Sequence, residues 1–208
     1  MCHYEDYRYS ADLDFSLAEG AGMEESLARV ADALVAAKTE IGFPTLQMEP
    51  GKEKEWWVVN EGPVGIGMRI KVDISDDELV FSPEQRPIFP RYEDLTSSEG
   101  LPVYSLVEIT AEKFRCVIQR SLCRDLFDLH FLLEEAQVDL DDAWAMFEEK
   151  ASHKGIDPAL FFPRLDERLE STYRQMWDGE MTEHLAGDVP HFNEIRRKVR
   201  ARVRPKRG

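Results

Sequence analysis

The sequence predicts an α+β protein, with a small sheet-bearing α/β part over residues 1–104 and an α-helical part over residues 105–208. Period-two alternation of apolar and polar residues is confined to the first 75 positions, whereas from Ser105 onward apolar residues recur at helical spacing. Between them, residues 76–104 carry Pro83, Pro87, Pro90 and Pro102 and read as a long irregular connection. A chain of 208 residues is long enough to bury a sizeable core as one domain or a compact pair.

The elements follow in order. Residues 10–15 alternate as a strand with one buried face, which would put Leu13 and Phe15 toward a core. Gly20 and Gly22 make a turn, and residues 23–41 form an amphipathic helix with Leu27, Val30, Leu34, Ala37 and Ile41 on one stripe. Pro44 and Pro50-Gly51 mark loops. Residues 56–61 are a short apolar strand. Residues 66–75 alternate most regularly, with Ile66, Met68, Ile70, Val72 and Ile74 on one face, and pair with 56–61 as a hairpin-like unit. Ser105-x-x-Glu108 is a capping box that opens a helix to about Arg120. Further helices are expected near 122–136, 140–152, 158–177 and 190–203.

Composition narrows the function classes. No apolar run approaches the ~20 residues of a membrane-spanning helix, and the first residues lack the basic and apolar regions of a secretory signal. Cys2, Cys116 and Cys123 contain no Cys-x-x-Cys, and five scattered histidines show no metal-ligand spacing. A reduced, cytoplasmic, soluble protein is expected. The formal net charge is −15, but residues 191–208 hold eight Lys/Arg against one acid. An acidic body argues against broad nucleic-acid binding across the surface, while the basic tail could meet a phosphate backbone or fold back on the acids.

Several charged residues stand out. Asp12 and Asp14, two apart on a strand, project from one face and repel one another unless a cation sits between them. Two solvated acids on a strand edge give the same pattern. Asp73 lies on the polar face of the regular strand, beside Lys71. On a helical wheel, Glu108, Glu112, Arg115 and Gln119 form the solvent arc, whereas Lys113 falls among Leu106, Ile109, Cys116 and Val117, with Arg120 on the same side. A lysine there either snorkels out or meets an anion. Asp125 falls between Leu129 and Leu132, a costly place for a carboxylate without a partner. Arg124 and Asp128, at i and i+4 on the polar strip, read as a plain ion pair. His130 reads as a packed core histidine, and nothing marks Cys116 or Cys123 as an activated thiolate.

Three segments in this order, DYRYSADLDFSL at 6–17, KVDIS at 71–75 and EITAEKFRCVIQRSLCRDLFDLHFL at 108–132, resemble the nucleotidyltransferase toxins of the AbiEii/AbiGii type. The resemblance implies a minimal polymerase-β-type nucleotidyltransferase fold that moves a nucleotidyl group from an NTP to an acceptor, using Mg²⁺. It implies Asp12, Asp14 and Asp73 as metal ligands, and Lys113 as the neutraliser of the triphosphate. Asp125 and Asp128 would complete the motif on the following helix, and Arg8, Ser10 and Arg124 would help to position phosphate. Members act in toxin–antitoxin and phage-defence systems, some on tRNA, so a tRNA or other RNA end and a cognate antitoxin are the implied partners.

One element of the family pattern is missing. A Gly-Gly or Gly-Ser turn, whose backbone N–H groups hold the triphosphate, is expected upstream of the D-x-D, and residues 1–7 contain none. The sheet is therefore expected to be incomplete and the chain truncated at its N-terminus, with weak NTP binding. The alternative reading is a catalytically incomplete relative that acts only by binding a partner; a kinase on a related scaffold would use the same carboxylates.

Overall fold

The computed structural model describes residues 8–9, 12–18, 20–41, 45–51, 55–61, 67–87 and 100–207. The backbone divides into two compact units, one of residues 11–80 and one of residues 1–10 with 81–208.

The smaller unit is a four-stranded sheet with one helix. Strands β1 (Asp12–Ser16), β2 (Thr45–Pro50), β3 (Glu55–Glu61) and β4 (Gly67–Ser75) lie in the order β1-β4-β3-β2, and α1 (Met23–Ile41) follows β1. β4, β3 and β2 form an antiparallel meander, and β1 runs parallel to β4. The expected hairpin of the third and fourth strands is present. In the sequence Pro44 and Pro50-Gly51 only mark loops, and the residues between those marks form strand β2, with Pro50 as its last residue. Pro50 ends it on an outer strand of the sheet, where a missing N–H interrupts no ladder.

A second expectation fails on β1. Val72 and Ile74 of β4 are buried, but Leu13 and Phe15, their register partners, are 45% and 53% exposed. Helix α1 packs against β2, at the far side of the sheet from β1. The apolar face of the sheet is thus covered over its inner strand and open over β1.

The larger unit is helical. A short antiparallel pair, β5 (Glu84–Arg86) with β6 (Leu101–Val103), appears inside the stretch read as irregular. Then come α2 (Leu106–Gln119), α3 (Cys123–His130), a π-helical turn (Phe131–Glu135), α4 (Leu140–His153), α5 (Phe161–Glu170), α6 (Thr172–His184) and α7 (Phe192–Val203). Phe114, Trp144, Phe147 and Phe161, all buried, meet edge to face with ring centroids 5.1 to 6.0 Å apart. Among the described residues, no helix is long and apolar enough to cross a membrane.

Both ends of α2 are fixed by side chains, and one of them corrects the sequence reading. Ser105 Oγ accepts from the Glu108 amide at 3.1 Å, as the capping box requires. Glu108 itself does not face solvent. It is fully buried, accepts from the Phe81 amide at 3.1 Å and pairs with Lys150 Nζ of α4 at 2.8 Å. Glu112 joins the same ammonium at 2.9 Å. The wheel assigned both to solvent because it could not see α4 arriving with a lysine. At the other end, the buried Arg168 guanidinium of α5 donates to the carbonyls of Val117, Ile118 and Arg120, groups an α-helix leaves without partners.

The single helix expected over 158–177 is three pieces: a 3₁₀ turn (Pro158–Leu160), α5 and α6. Ser171 (φ −121°, ψ −96°) breaks it: its amide bonds the Arg168 carbonyl and its hydroxyl takes the Glu167 carbonyl at 2.7 Å. A serine that satisfies the backbone locally in this way competes with the helical ladder.

Candidate functional site: an acidic strand pair and a buried charge chain

In the smaller unit the parallel register of β1 and β4 sets Asp12 opposite Lys71 and Asp14 opposite Asp73. Residues directly opposite share a face of the sheet, so all four side chains project together, away from Val72 and Ile74. Lys71 Nζ lies 3.0 Å from Asp73 Oδ2. The group is half in water: Asp14 is exposed, while Asp12, Lys71 and Asp73 are half-buried. Among the described residues, no three His, Cys, Asp or Glu gather closely enough to enclose a metal ion. Mg²⁺ does not need such a cage. It takes hard oxygen donors, commonly one or two carboxylates, and completes its shell with phosphate oxygens and water. Asp14 and Asp73 side by side, with Asp12 one step along the same face, match that donor chemistry. Lys71 already places a positive charge among them.

The larger unit holds a different arrangement. Lys113 of α2 is inward-facing, and its Nζ lies 2.9 Å from Asp125 Oδ1 and 2.7 Å from Asp128 Oδ2, both on α3. Each carboxylate is gripped from behind by a two-pronged guanidinium. Arg120 donates to Asp125 through Nε at 2.8 Å and Nη2 at 3.0 Å. Arg8 donates to Asp128 through Nε at 2.5 Å and Nη2 at 2.7 Å. The result is a chain Arg8–Asp128–Lys113–Asp125–Arg120, three cations around two fully buried anions. Arg8 is held in place because the Tyr9 amide donates to the His184 carbonyl at the end of α6, at 2.8 Å.

Burial alone would push both aspartates up and the lysine down; the mutual pairing outweighs it. Asp125 is held below the usual carboxylate range by the Arg120 fork and the Lys113 ammonium, and Asp128 by Lys113 and Arg8. Lys113 is driven above its ordinary value by Asp128 and Asp125. All five groups therefore carry charge at neutral pH. Counted by themselves, the five groups carry three positive and two negative charges.

Of the residues singled out in the sequence, Lys113, Asp125, Asp128 and Arg8 come together in this chain, and Asp12, Asp14 and Asp73 share the β1–β4 face. Ser10 lies outside the described residues. The expected Arg124–Asp128 pair gives way to Arg8 and Lys113. Asp128 is on the buried side of α3, not on a polar strip, because a distant guanidinium reaches it. Arg124 instead sits at the start of α3, its amide 3.4 Å from Glu180 Oε1. His130 is buried and stacked on Phe127, as expected. Burial raises the thiols of Cys116 and Cys123, the latter to about 12, so neither of these two is a ready nucleophile. Sequence reasoning left two residues without a role. Arg120, on the Lys113 side of the wheel, was within reach of it, whereas Arg168 was not, since its partners are backbone carbonyls 48 to 51 positions away.

A family model for the nucleotidyl transferase AbiEii toxin of type IV toxin–antitoxin systems matches residues 1–201. Among solved structures, the nucleotidyltransferase toxin MenT4 of Mycobacterium tuberculosis H37Rv is similar at 22% identity and a TM-score of 0.51. That likeness covers 67% of this chain and 48% of MenT4, so the chain spans about half the length of that structure. No curated protein matches the chain. The motif segments on the β1–β4 face and in the α2–α3 charge chain both lie within the matched span, and the chain belongs to the AbiEii nucleotidyltransferase toxin family.

Proposed function

We propose that this protein transfers a nucleotidyl group from an NTP to an acceptor hydroxyl, an RNA end such as that of tRNA, as the toxin of a toxin–antitoxin or phage-defence pair with a cognate antitoxin as partner. The observation that carries this reading is Lys113: a half-buried ammonium held by two buried carboxylates, each also paired with an arginine. Such a lysine is rigid, fully charged and not cancelled by its neighbours. Phosphoryl-group chemistry requires that of the residue facing a triphosphate.

In the reaction the acceptor hydroxyl oxygen attacks the α-phosphorus and releases its proton to solvent, the bond from that phosphorus to the bridging oxygen breaks, and pyrophosphate leaves with the electron pair. Asp12, Asp14 and Asp73 would hold Mg²⁺, whose chemistry is to screen the phosphate oxygens as a Lewis acid. Lys113 offsets charge on the triphosphate. Asp125 and Asp128, kept ionised and doubly paired, act as the mount for Lys113. Arg8, through Asp128, fixes that mount, and Ser10 of the same sequence segment is assigned to phosphate positioning. Arg124, at the head of α3, is a further phosphate contact.

Incubation with α-labelled NTPs, Mg²⁺ and tRNA or total RNA tests the reading. The parent should label RNA, and Lys113→Ala and Asp12→Ala should lower transfer by at least about a hundredfold with circular dichroism unchanged. Parent protein that labels nothing with any NTP would support a binding-only relative instead. Variants that transfer as fast as the parent would remove the residue assignment.

A further inference from the structure

The C-terminal basic stretch is sorted by the fold into two sets. Half of its eight cations pair with acids: Arg196 with Glu170, Lys198 with Glu194 at 2.8 Å, Arg202 with Glu134 at 3.8 Å, and Lys206 with Asp141 at 2.6 Å. The tail is thus docked on the acidic body, with Val199 and Val203 buried beneath it.

The second set lines a cavity of about 320 Å³ between α5 and the end of α7, walled by Phe162 and Leu165 on one side and Arg200, Arg204 and Arg207 on the other. Three guanidinium groups face this space. Asp166 serves two of them, Arg200 at 3.0 Å and Arg207 at 2.5 Å. Glu170, already paired with Arg196, reaches Arg200 only at 3.9 Å. Arg204 forms no ion pair among the described residues. The Arg207 guanidinium lies 4.8 Å from the centre of the Phe162 ring, and Phe162 in turn stacks on Trp144.

We propose that this cavity is an RNA-binding subsite that takes one backbone phosphate of the acceptor, with the adjoining base laid against the Phe162–Arg207 stack. Guanidinium forks match phosphate geometry and pair with it through two parallel hydrogen bonds. Asp166 keeps Arg200 and Arg207 oriented toward the cavity, and Arg204 supplies the charge that no protein acid cancels. An unstacked RNA base is commonly received on an arginine plane, and Arg207, backed by the Phe162 ring, offers one here. The volume is at the small end of ligand sites, matched to a single nucleotide and not to a folded partner. The positive cavity is local, on a chain whose net charge is −15, so it selects where RNA touches the protein. This inference rests on the reading that the acceptor is RNA.

The test uses the full chain and a fluorescein-labelled single-stranded RNA in anisotropy titrations at two salt concentrations. Arg204→Gln should weaken binding about fivefold or more and lower the salt slope by about one. Arg197→Gln removes the same charge from an exposed position of α7 outside the cavity and should change binding by less than about twofold. Equal losses in the two variants would mean general attraction to the tail and overturn the subsite. So would an unchanged Arg204→Gln, or parent protein that binds no RNA. Excess ATP as competitor separates the sources of phosphate: bound RNA should persist, and displacement by ATP more readily than by unlabelled RNA would assign the cavity to free nucleotide and overturn the proposal. Label transfer in the same preparation separates the two readings. Transfer by the parent with Arg204→Gln binding normally sinks the cavity alone; cavity-dependent RNA binding without transfer sinks the catalytic reading alone.

Discussion

The two units of this protein treat charge in opposite ways. On β1 and β4 the carboxylates of Asp12, Asp14 and Asp73 stay within reach of water, and Asp73 pairs with the Lys71 ammonium. On α2 and α3 two aspartates are withdrawn from water entirely and wrapped by two guanidinium forks and an ammonium. A group that must exchange one partner for another has to remain accessible, because every exchange from a buried position carries a desolvation cost of several kcal/mol. A group that fixes geometry gains from being buried with all its lone pairs occupied. On the function proposed above, the contrast fits ligand exchange on the sheet and rigid support from the helices.

The sharpest way to break this comparison is Asp128→Ala. It leaves Arg8 and Lys113, both largely buried, without their shared acceptor, and should cost about 3–5 kcal/mol in urea unfolding of the helical unit. A loss below about 1 kcal/mol would show that water screens the chain and that the helices are no more rigid than the sheet. Arg168→Met should follow at about 1–3 kcal/mol, because three carbonyls at the end of α2 lose their donor together. Its unfolding midpoint should fall without a change in the denaturant slope.

The pH dependence separates the units as well. Asp125 and Asp128 are lowered in the folded state, so their contribution is whole above the ordinary aspartate value of about 3.9 and is lost as pH falls below it toward the folded values. Lys113 and Lys150 are raised, so their contribution is whole below about 10.4 and is lost as pH climbs through the folded values. Thermal melts should therefore show a plateau between about pH 4 and 10, with an acid limb that Asp128→Asn flattens. An acid limb unchanged in that variant would place the titrating groups elsewhere. The smallest effect on stability is expected from Asp14→Asn, within about 0.5 kcal/mol of the parent, although Mg²⁺ titrated against the parent and this variant should bind only the parent.

The sheet was legible because its signals are local. Alternation over residues 66–75 and the D-x-D spacing fix which side chains share a face, and β4 and the β3–β4 hairpin follow from it. Strand β2 was hidden by Pro44 and Pro50, since a proline at the end of an outer strand looks the same in sequence as one in a loop. Lys113 and Asp125 were legible as charges in apolar arcs. Their partners were less so: nothing near position 128 announces Arg8, which lies 120 residues away. The same limit hid Glu108. A wheel reads one helix at a time, and Glu108 faces outward from α2 until Lys150 of α4 covers it. Leu13 and Phe15 failed for the converse reason, since alternation shows which face is apolar but not whether α1 lies over it.

The π-helical turn at Phe131–Glu135 carries a consequence for the order of assembly. By widening the coil it puts consecutive Leu132 and Leu133 both into the core and turns the Leu133 carbonyl outward, where Arg202 of α7 donates to it at 3.1 Å. That bond joins positions 69 apart in sequence, and α7 also packs along α3. The seat of α7 thus includes the irregular coil in the middle of the chain, and α7 closes the flank of the helix that carries Asp125 and Asp128. During synthesis, then, the mount for Lys113 becomes firm late, when α7 has left the ribosome, so a nascent chain carries every motif residue before it carries a working arrangement of them.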